Sequence, residues 1–124
     1  MDEKERKKLK FKDNNLFIQV EQYQNNGNLA ILAYTEDELY GDITINLPGY
    51  SIDEDEGIIN AITKDSGLEQ KLIEEGIIKE VITTVKYNMG KYDFVVFDME
   101  KLKEYDPKGI EKYQQSFEEE EELE

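Results

Sequence analysis

The chain has 124 residues, about the length of one domain, and carries a net charge of −15. It contains no Cys and no His, which excludes disulfides, thiolate catalysis, thiolate ligation of zinc or iron–sulfur clusters, and the side chain used most often as a general base near neutral pH. No apolar run approaches the ~20 residues that span a bilayer, and no signal-peptide region follows the basic start. We therefore expect a cytoplasmic protein that does not bind membranes.

The predicted elements begin with three strands. Apolar and polar residues alternate over residues 16–24, a turn-forming Asn/Gly stretch follows, and residues 29–34 resume an extended pattern, which predicts an antiparallel hairpin. The same alternation predicts a third strand over residues 40–47, which Pro48 ends. Residues 57–62 fit either a short strand or a helical turn, and their density of Ile favours extended structure.

One helix and two further strands are predicted next. Ser66 and Glu69 have the spacing of a capping box, which marks a helix start, and Gly76 is placed to end that helix. Residues 77–87 and 91–98 are rich in β-branched and aromatic side chains, and the turn between them contains Gly. They predict a second hairpin.

The chain ends in predicted helices. Asp98 is placed to cap a helical turn over residues 99–105, and Asp106 with Pro107 begins a last helix. Strands and helices are segregated, so we predict the α+β class, with a mostly antiparallel sheet of about five strands, one short helix between strands and C-terminal helices. We divide the chain into a disordered basic leader (1–14), a single α+β domain (15–105), and a C-terminal helix with an acidic tail (106–124).

The negative charge resides mainly in the predicted domain. Six basic and three acidic side chains give residues 1–12 a charge of +3, six Glu give residues 118–124 a charge of −6, and residues 13–117 keep −12 of the total −15. Such a surface repels nucleic-acid phosphate and attracts basic proteins. We expect a basic protein partner and no direct binding to nucleic acid. The basic leader can instead contact the acidic body of its own chain, although we favour disorder.

Two acidic clusters supply the candidate partner-binding residues. The first comprises Glu36, Asp37, Glu38, Tyr40 and Asp42, and the second comprises Asp53, Glu54, Asp55 and Glu56. Carboxylates spaced like phosphates imitate nucleic acid and can occupy the basic groove of a nucleic-acid-binding protein. The alternative is that both clusters are ordinary solvated charge.

Metal and cofactor sites are not predicted. Counting from Asp53, a helix–loop–helix calcium loop would need an oxygen ligand, Gly and Glu where the chain has Gly57, Ile58 and Lys64. The chain also lacks a phosphate-cradling glycine pattern, a nucleophile elbow and a dinucleotide fingerprint. The leading hypothesis is a non-enzymatic binding module without a cofactor.

Two alternatives remain at this stage. The first is an interaction or regulatory protein that binds through some of its eight Tyr and through the last helix, without mimicry. The apolar stripe of that helix would be Ile110, Tyr113 and Phe117. The second is a carboxylate-based or metal-assisted enzyme.

Three segments resemble a family of small proteins of unknown function. They read YGDITINLP at residues 40–48, LIEEGII at 72–78 and LKEYDP at 102–107, and the likeness covers about residues 16–113. The family is carried on conjugative plasmids and transposons of Gram-positive and gut bacteria. The resemblance implies an accessory protein of a mobile element, and it supplies no catalytic or ligand residues. By analogy with small acidic proteins that blunt nucleic-acid-directed defences, it favours mimicry.

Overall fold

A computed structural model describes residues 6–24, 26–50 and 52–123, with only the backbone described for residues 117–123. Within these ranges the chain forms eight strands and four helices. The strands are β1 (Leu9–Phe11), β2 (Asn14–Gln22), β3 (Leu29–Tyr34), β4 (Leu39–Asp42), β5 (Thr44–Ile45), β6 (Glu56–Ile59), β7 (Ile78–Tyr87) and β8 (Gly90–Phe97). The helices are α1 (Ala61–Asp65), α2 (Leu68–Glu74), α3 (Met99–Tyr105) and α4 (Pro107–Leu123).

The strands form two antiparallel sheets, with the orders β1-β2-β3-β4 and β5-β6-β8-β7. The predicted α+β class is confirmed, whereas the described chain has eight strands in two sheets where about five strands were predicted. The predicted third strand is divided at Ile43. The Ile43 amide donates to the carbonyl of Ile31 in β3, and its carbonyl accepts from Asn60 just after β6, both at 2.9 Å. This residue therefore carries the chain from one sheet to the other.

The core contains the inward faces of both sheets and of the C-terminal helices. In β2, Leu16, Ile18 and Val20 are buried, as the period of two predicts for a half-buried strand. Leu102 of α3 and Ile110 of α4 are also fully buried in this core. Each such side chain contributes about 1.5–3 kcal/mol to stability relative to an exposed one. The predicted hairpin of β2 and β3 is confirmed, with Phe17 opposite Tyr34.

The leader is ordered where it forms β1. Leu9 pairs with Leu16 of β2, and both Leu9 and Phe11 are buried. For residues 9–14 this finding corrects the predicted disorder of the leader (1–14), because two apolar side chains with a period of two stand among the basic ones. Residues 1–5 lie outside the described residues.

The predicted capping box is wrong. Ser66 ends α1, and its hydroxyl donates to the carbonyl of Thr63 at 3.2 Å. Gly67 precedes α2 with a φ of 92° and makes no side-chain capping bond. The Ser66 hydroxyl accepts from the Leu68 amide at 3.4 Å, and Glu69 is buried. The ambiguous residues 57–62 contain both structures considered: β6 ends at Ile59, and α1 begins at Ala61.

Both C-terminal helices begin as predicted. The Asp98 carboxylate accepts from the amides of Glu100 and Lys101 at 3.0 and 3.1 Å. Asp106 precedes α4 and accepts from the Gly109 amide at 3.1 Å and from the Val20 amide of β2 at 2.9 Å. This second bond fixes the start of α4 against the first sheet.

Candidate functional site

The two predicted acidic clusters lie in different parts of the fold. Residues 36–38 form the turn between β3 and β4 and line one surface cavity, whereas residues 53–55 precede β6 and line another. Tyr40 and Asp42 belong to β4, and both are exposed. Tyr40 packs edge-on against Phe11, with ring centroids 6.4 Å apart. The structure therefore does not join the nine candidate residues into one surface.

The second cluster is a turn that is bonded to the core through its backbone. The Glu56 carboxylate accepts from the Asp53 amide at 2.8 Å. The carbonyl of Glu54 accepts from the Tyr113 hydroxyl, and the carbonyl of Asp55 accepts from the Phe97 amide, both at 2.7 Å. Burial, followed by the nearby charges of Glu54 and Asp55, raises the pKa of Tyr113. Among the described residues, no group of three or more acidic side chains is arranged to hold a metal ion.

The first cluster forms the acidic edge of a cavity of about 590 Å³, which we call the acidic groove. Its apolar lining comes from Phe17, Tyr34 and Leu39, and its acidic lining from Glu36, Asp37 and Glu38. Thr35 fixes the turn: its amide donates to the carbonyl of Glu38 at 2.9 Å, and its hydroxyl accepts from the amides of Asp37 and Glu38 at 3.3 and 3.2 Å. The three carboxylates are thereby held beside aromatic rings.

Two basic side chains of the leader lie in the acidic groove. The guanidinium carbon of Arg6 and the ammonium nitrogen of Lys8 lie 5.7 and 5.4 Å from the centre of the Phe17 ring, which is cation–π range. Arg6 also donates to the carbonyl of Tyr105 at 3.2 Å and lies 3.7 Å from the Asp106 carboxylate. Lys8 is exposed. The groove thus already accommodates cationic side chains.

Sequence reasoning identified the carboxylates of this groove and the neighbouring Tyr34, and it missed Phe17. Phe17 stands in β2 on the face opposite Leu16 and Ile18, where a half-buried strand normally places polar residues. An aromatic side chain on that face was the available signal.

A buried carboxyl pair lies between α2 and β8. Glu69 and Asp93 are each 6% exposed. Asp93 accepts from the Thr84 hydroxyl at 3.1 Å and lies 3.1 Å from the half-exposed ammonium of Lys64. One carboxyl oxygen of Glu69, Oε1, has no hydrogen-bond partner. The environment therefore differs sharply between the two carboxyl groups.

This difference separates the pKa values of the pair. Burial, then the hydrogen bond with Asp93 and its charge, raise the pKa of Glu69 to about 7. Burial alone would raise the pKa of Asp93, but hydrogen bonds with Glu69, Lys64 and Thr84 lower it below its ordinary value. Below about pH 7 Glu69 is therefore mostly protonated, while the lowered pKa of Asp93 keeps that neighbour ionised.

Neither the acidic groove nor the cavity at residues 53–55 is lined by this pair. We interpret the carboxyl pair as a buried part of the fold whose protonation affects stability. Sequence reasoning missed it because Glu69 was assigned to a helix cap, and Asp93 was considered only as part of the predicted strand over residues 91–98. Among the helices of the described chain, none combines the length and apolarity that crossing a membrane requires.

Comparison with known proteins places the chain in a family. A family model described as "Domain of unknown function (DUF4313)" matches residues 17–117. No curated protein and no solved structure matches the chain. The matched residues include Phe17, the acidic turn and the buried carboxyl pair, whereas Arg6 and Lys8 precede them. Because the match covers most of its length, the chain belongs to the DUF4313 family, a domain of unknown function.

Proposed function

We propose that this protein is a non-enzymatic binding module that holds a basic segment of a partner protein in the acidic groove. The observation that carries the proposal is the double contact of Arg6 and Lys8 with Phe17 beside the acidic turn. A surface that accepts two cations of its own chain has the chemistry to accept those of another. Lys8 is exposed and can leave without breaking a described ion pair.

Each contact in the acidic groove should contribute little binding free energy, and charge should mainly guide the encounter with the partner. A cation–π contact at an exposed site contributes about 0.5–1 kcal/mol, and an exposed ion pair contributes about 0–1 kcal/mol. A single Lys side chain would therefore bind weakly, and useful affinity needs a segment with several basic residues. The charge of −15 accelerates the encounter with such a segment and makes binding sensitive to salt.

The proposed partner is a basic nucleic-acid-binding protein, which the module would engage as a nucleic-acid mimic. The exposed carboxylates of residues 36–38 and the overall negative charge support this choice. We place the interaction in the cytoplasm because a chain without Cys suits a reducing compartment. From the resemblance at residues 40–48, 72–78 and 102–107, we further propose an accessory role on a mobile genetic element.

In the alternative that uses Tyr and the last helix, the C-terminal helices have less structural support, whereas Tyr40 is exposed. Tyr113 of α4 is 3% exposed, Ile110 is fully buried, and Tyr105 of α3 is buried as well. These side chains pack on their own core, so they offer no surface to a partner. The side chain of Phe117, the third member of the predicted stripe, lies outside the described residues.

Fluorescence anisotropy with a labelled peptide of alternating Lys and Ala tests the proposal. The groove variant is Glu36→Gln/Asp37→Asn/Glu38→Gln, and the matched control is Asp53→Asn/Glu54→Gln/Asp55→Asn, which removes the same three charges elsewhere. We expect binding to the unmodified protein to weaken steeply as salt rises, the groove variant to lose at least about tenfold in affinity, and the control to lose much less. Equal losses in both variants would show that net charge alone binds the peptide.

Affinity capture from the source cell identifies the partner. The unmodified protein and the groove variant serve as paired baits. Mimicry predicts that mass spectrometry finds a basic nucleic-acid-binding protein with the first bait and not with the second, and that added duplex DNA competes for it. Recovery of metabolic enzymes only would contradict mimicry.

A further inference from the structure

A second cavity adjoins the acidic groove and is lined by basic side chains. It has a volume of about 520 Å³ and lies where α4 begins beside β2. Arg6 and Gln19 line both cavities, so the two are neighbours along β2. The other basic residues of its lining are Lys108 and Lys112 of α4. We call this second cavity the basic end.

The lining of the basic end is positively charged. Three basic and two acidic side chains take part in it, although the whole chain carries −15. One of the acids, Asp106, accepts from two backbone amides and lies 3.7 Å from the Arg6 guanidinium, so its charge is compensated within the chain. That leaves Glu21 against the two Lys side chains.

The two Lys side chains of the basic end have no acidic partner in the described chain. Lys108 and Lys112 are exposed and stand four positions apart on one face of α4. Neither makes an ion pair with a described residue, and Glu111, three positions after Lys108, lines a different cavity. Like charges at this spacing destabilise a helix. A carboxylate bound between them would relieve that repulsion.

We infer that the partner segment proposed for the acidic groove also carries an acidic residue, which binds Lys108 and Lys112 in the basic end. This inference rests on the proposed function, and its argument is charge complementarity. Phe17 lines the acidic groove and Gln22 lines the basic end. They are five positions apart in β2, which is roughly 17 Å of extended chain. A segment with basic residues and, about five positions away, Asp or Glu matches both cavities.

The basic end would give the module a selectivity that net charge cannot supply. A protein of charge −15 attracts every basic segment, and a carboxylate in the segment weakens that general attraction. Only a local group of cations makes the same carboxylate favourable. Tighter binding of a mixed segment than of a purely basic one therefore distinguishes the basic end from general attraction.

Fluorescence anisotropy with two kinds of labelled, C-terminally amidated peptide tests the inference. Both contain the same block of alternating Lys and Ala, and about five positions from its centre one kind has Asp-Asp and the other Asn-Asn. Each is made with this pair before and after the block. In one of the two orders, the Asp peptide should bind the unmodified protein about threefold or more tightly than the Asn peptide, since two exposed ion pairs are gained.

Two double variants of the full chain locate the effect. Lys108→Glu/Lys112→Glu should reverse the preference, so that the Asn peptide binds more tightly. The matched control is Lys79→Glu/Lys86→Glu, which makes the same change of charge at two exposed residues of β7 and should keep the preference. Lys108→Gln/Lys112→Gln removes the charges without reversing them and should abolish the preference, which provides a second variant if the first does not fold.

The outcomes separate this inference from the proposed function. Equal or weaker binding of the Asp peptides in both orders would overturn the inference, and so would a preference that survives in a folded Lys108→Gln/Lys112→Gln variant. In both cases the proposed function stands if the Asn peptides still bind and still depend on residues 36–38. If neither kind of peptide binds the unmodified protein, the proposed function fails and the inference fails with it.

Discussion

Replacing Glu69 with Gln tests the buried carboxyl pair through the pH dependence of stability. The pKa of Glu69 is about 7 in the folded protein, against an ordinary value of 4.5. Between these values the folded chain binds more protons than the unfolded chain. The free energy of unfolding must therefore fall as pH rises from about 4.5 to about 7, and then level off.

The gap between the two pKa values sets the size of the effect. A difference of about 2.5 corresponds to about 3 kcal/mol, which is an upper bound because Glu69 titrates together with Asp93. Asp93 acts in the opposite sense, since its pKa is lowered when the chain folds. Its stabilising contribution is lost only below its ordinary value of 3.8, so it adds no slope above pH 5. We expect a loss of about 1–3 kcal/mol between pH 5 and pH 8.

Urea unfolding followed by circular dichroism measures this loss. At pH 5 the Glu69 carboxyl group and the Gln amide are both neutral, so the two proteins should have similar stability. At pH 8 the Glu69→Gln variant should be more stable by about 1–3 kcal/mol, because it no longer buries an ionised group. Glu74→Gln, on the exposed side of the same helix, should keep the pH dependence of the unmodified protein. Parallel pH profiles for the unmodified protein and Glu69→Gln would refute the reasoning.

Three further substitutions probe the fold and the acidic groove. Gly109→Ala should destabilise the protein by about 1–3 kcal/mol in urea unfolding, because a Cβ there would lie 2.8 Å from the carbonyl oxygen of Val20. The control is Gly41→Ala, which has open space around it and should leave the stability nearly unchanged. Asp106→Ala should lower the melting temperature strongly, with a cost of about 3 kcal/mol, and a change below about 0.5 kcal/mol would contradict its role at the start of α4. Phe17→Ala should weaken basic-peptide binding in the anisotropy assay about threefold or more, and unchanged affinity in a folded variant would remove the aromatic ring from the proposed site.

Local sequence signals predicted those parts of the fold that local interactions decide. The alternation in β2 and β3 and the caps at Asp98 and Asp106 require only neighbouring residues, and the structure confirms them. The division of the predicted third strand at Ile43 was not predictable in this way. Its apolar pattern continues unbroken, and the hydrogen bonds that separate the two strands come from Ile31 and Asn60, which are distant in sequence.

The candidate site was predictable in its charge and not in its arrangement. A run of carboxylates at residues 36–38 is visible in the sequence, but its place in one cavity with Phe17, Arg6 and Lys8 depends on the pairing of β1, β2 and β3. Glu69 was predicted to cap a helix because its spacing from Ser66 fits. The burial of Glu69 next to Asp93 depends on how α2 packs on the second sheet, which no local pattern encodes.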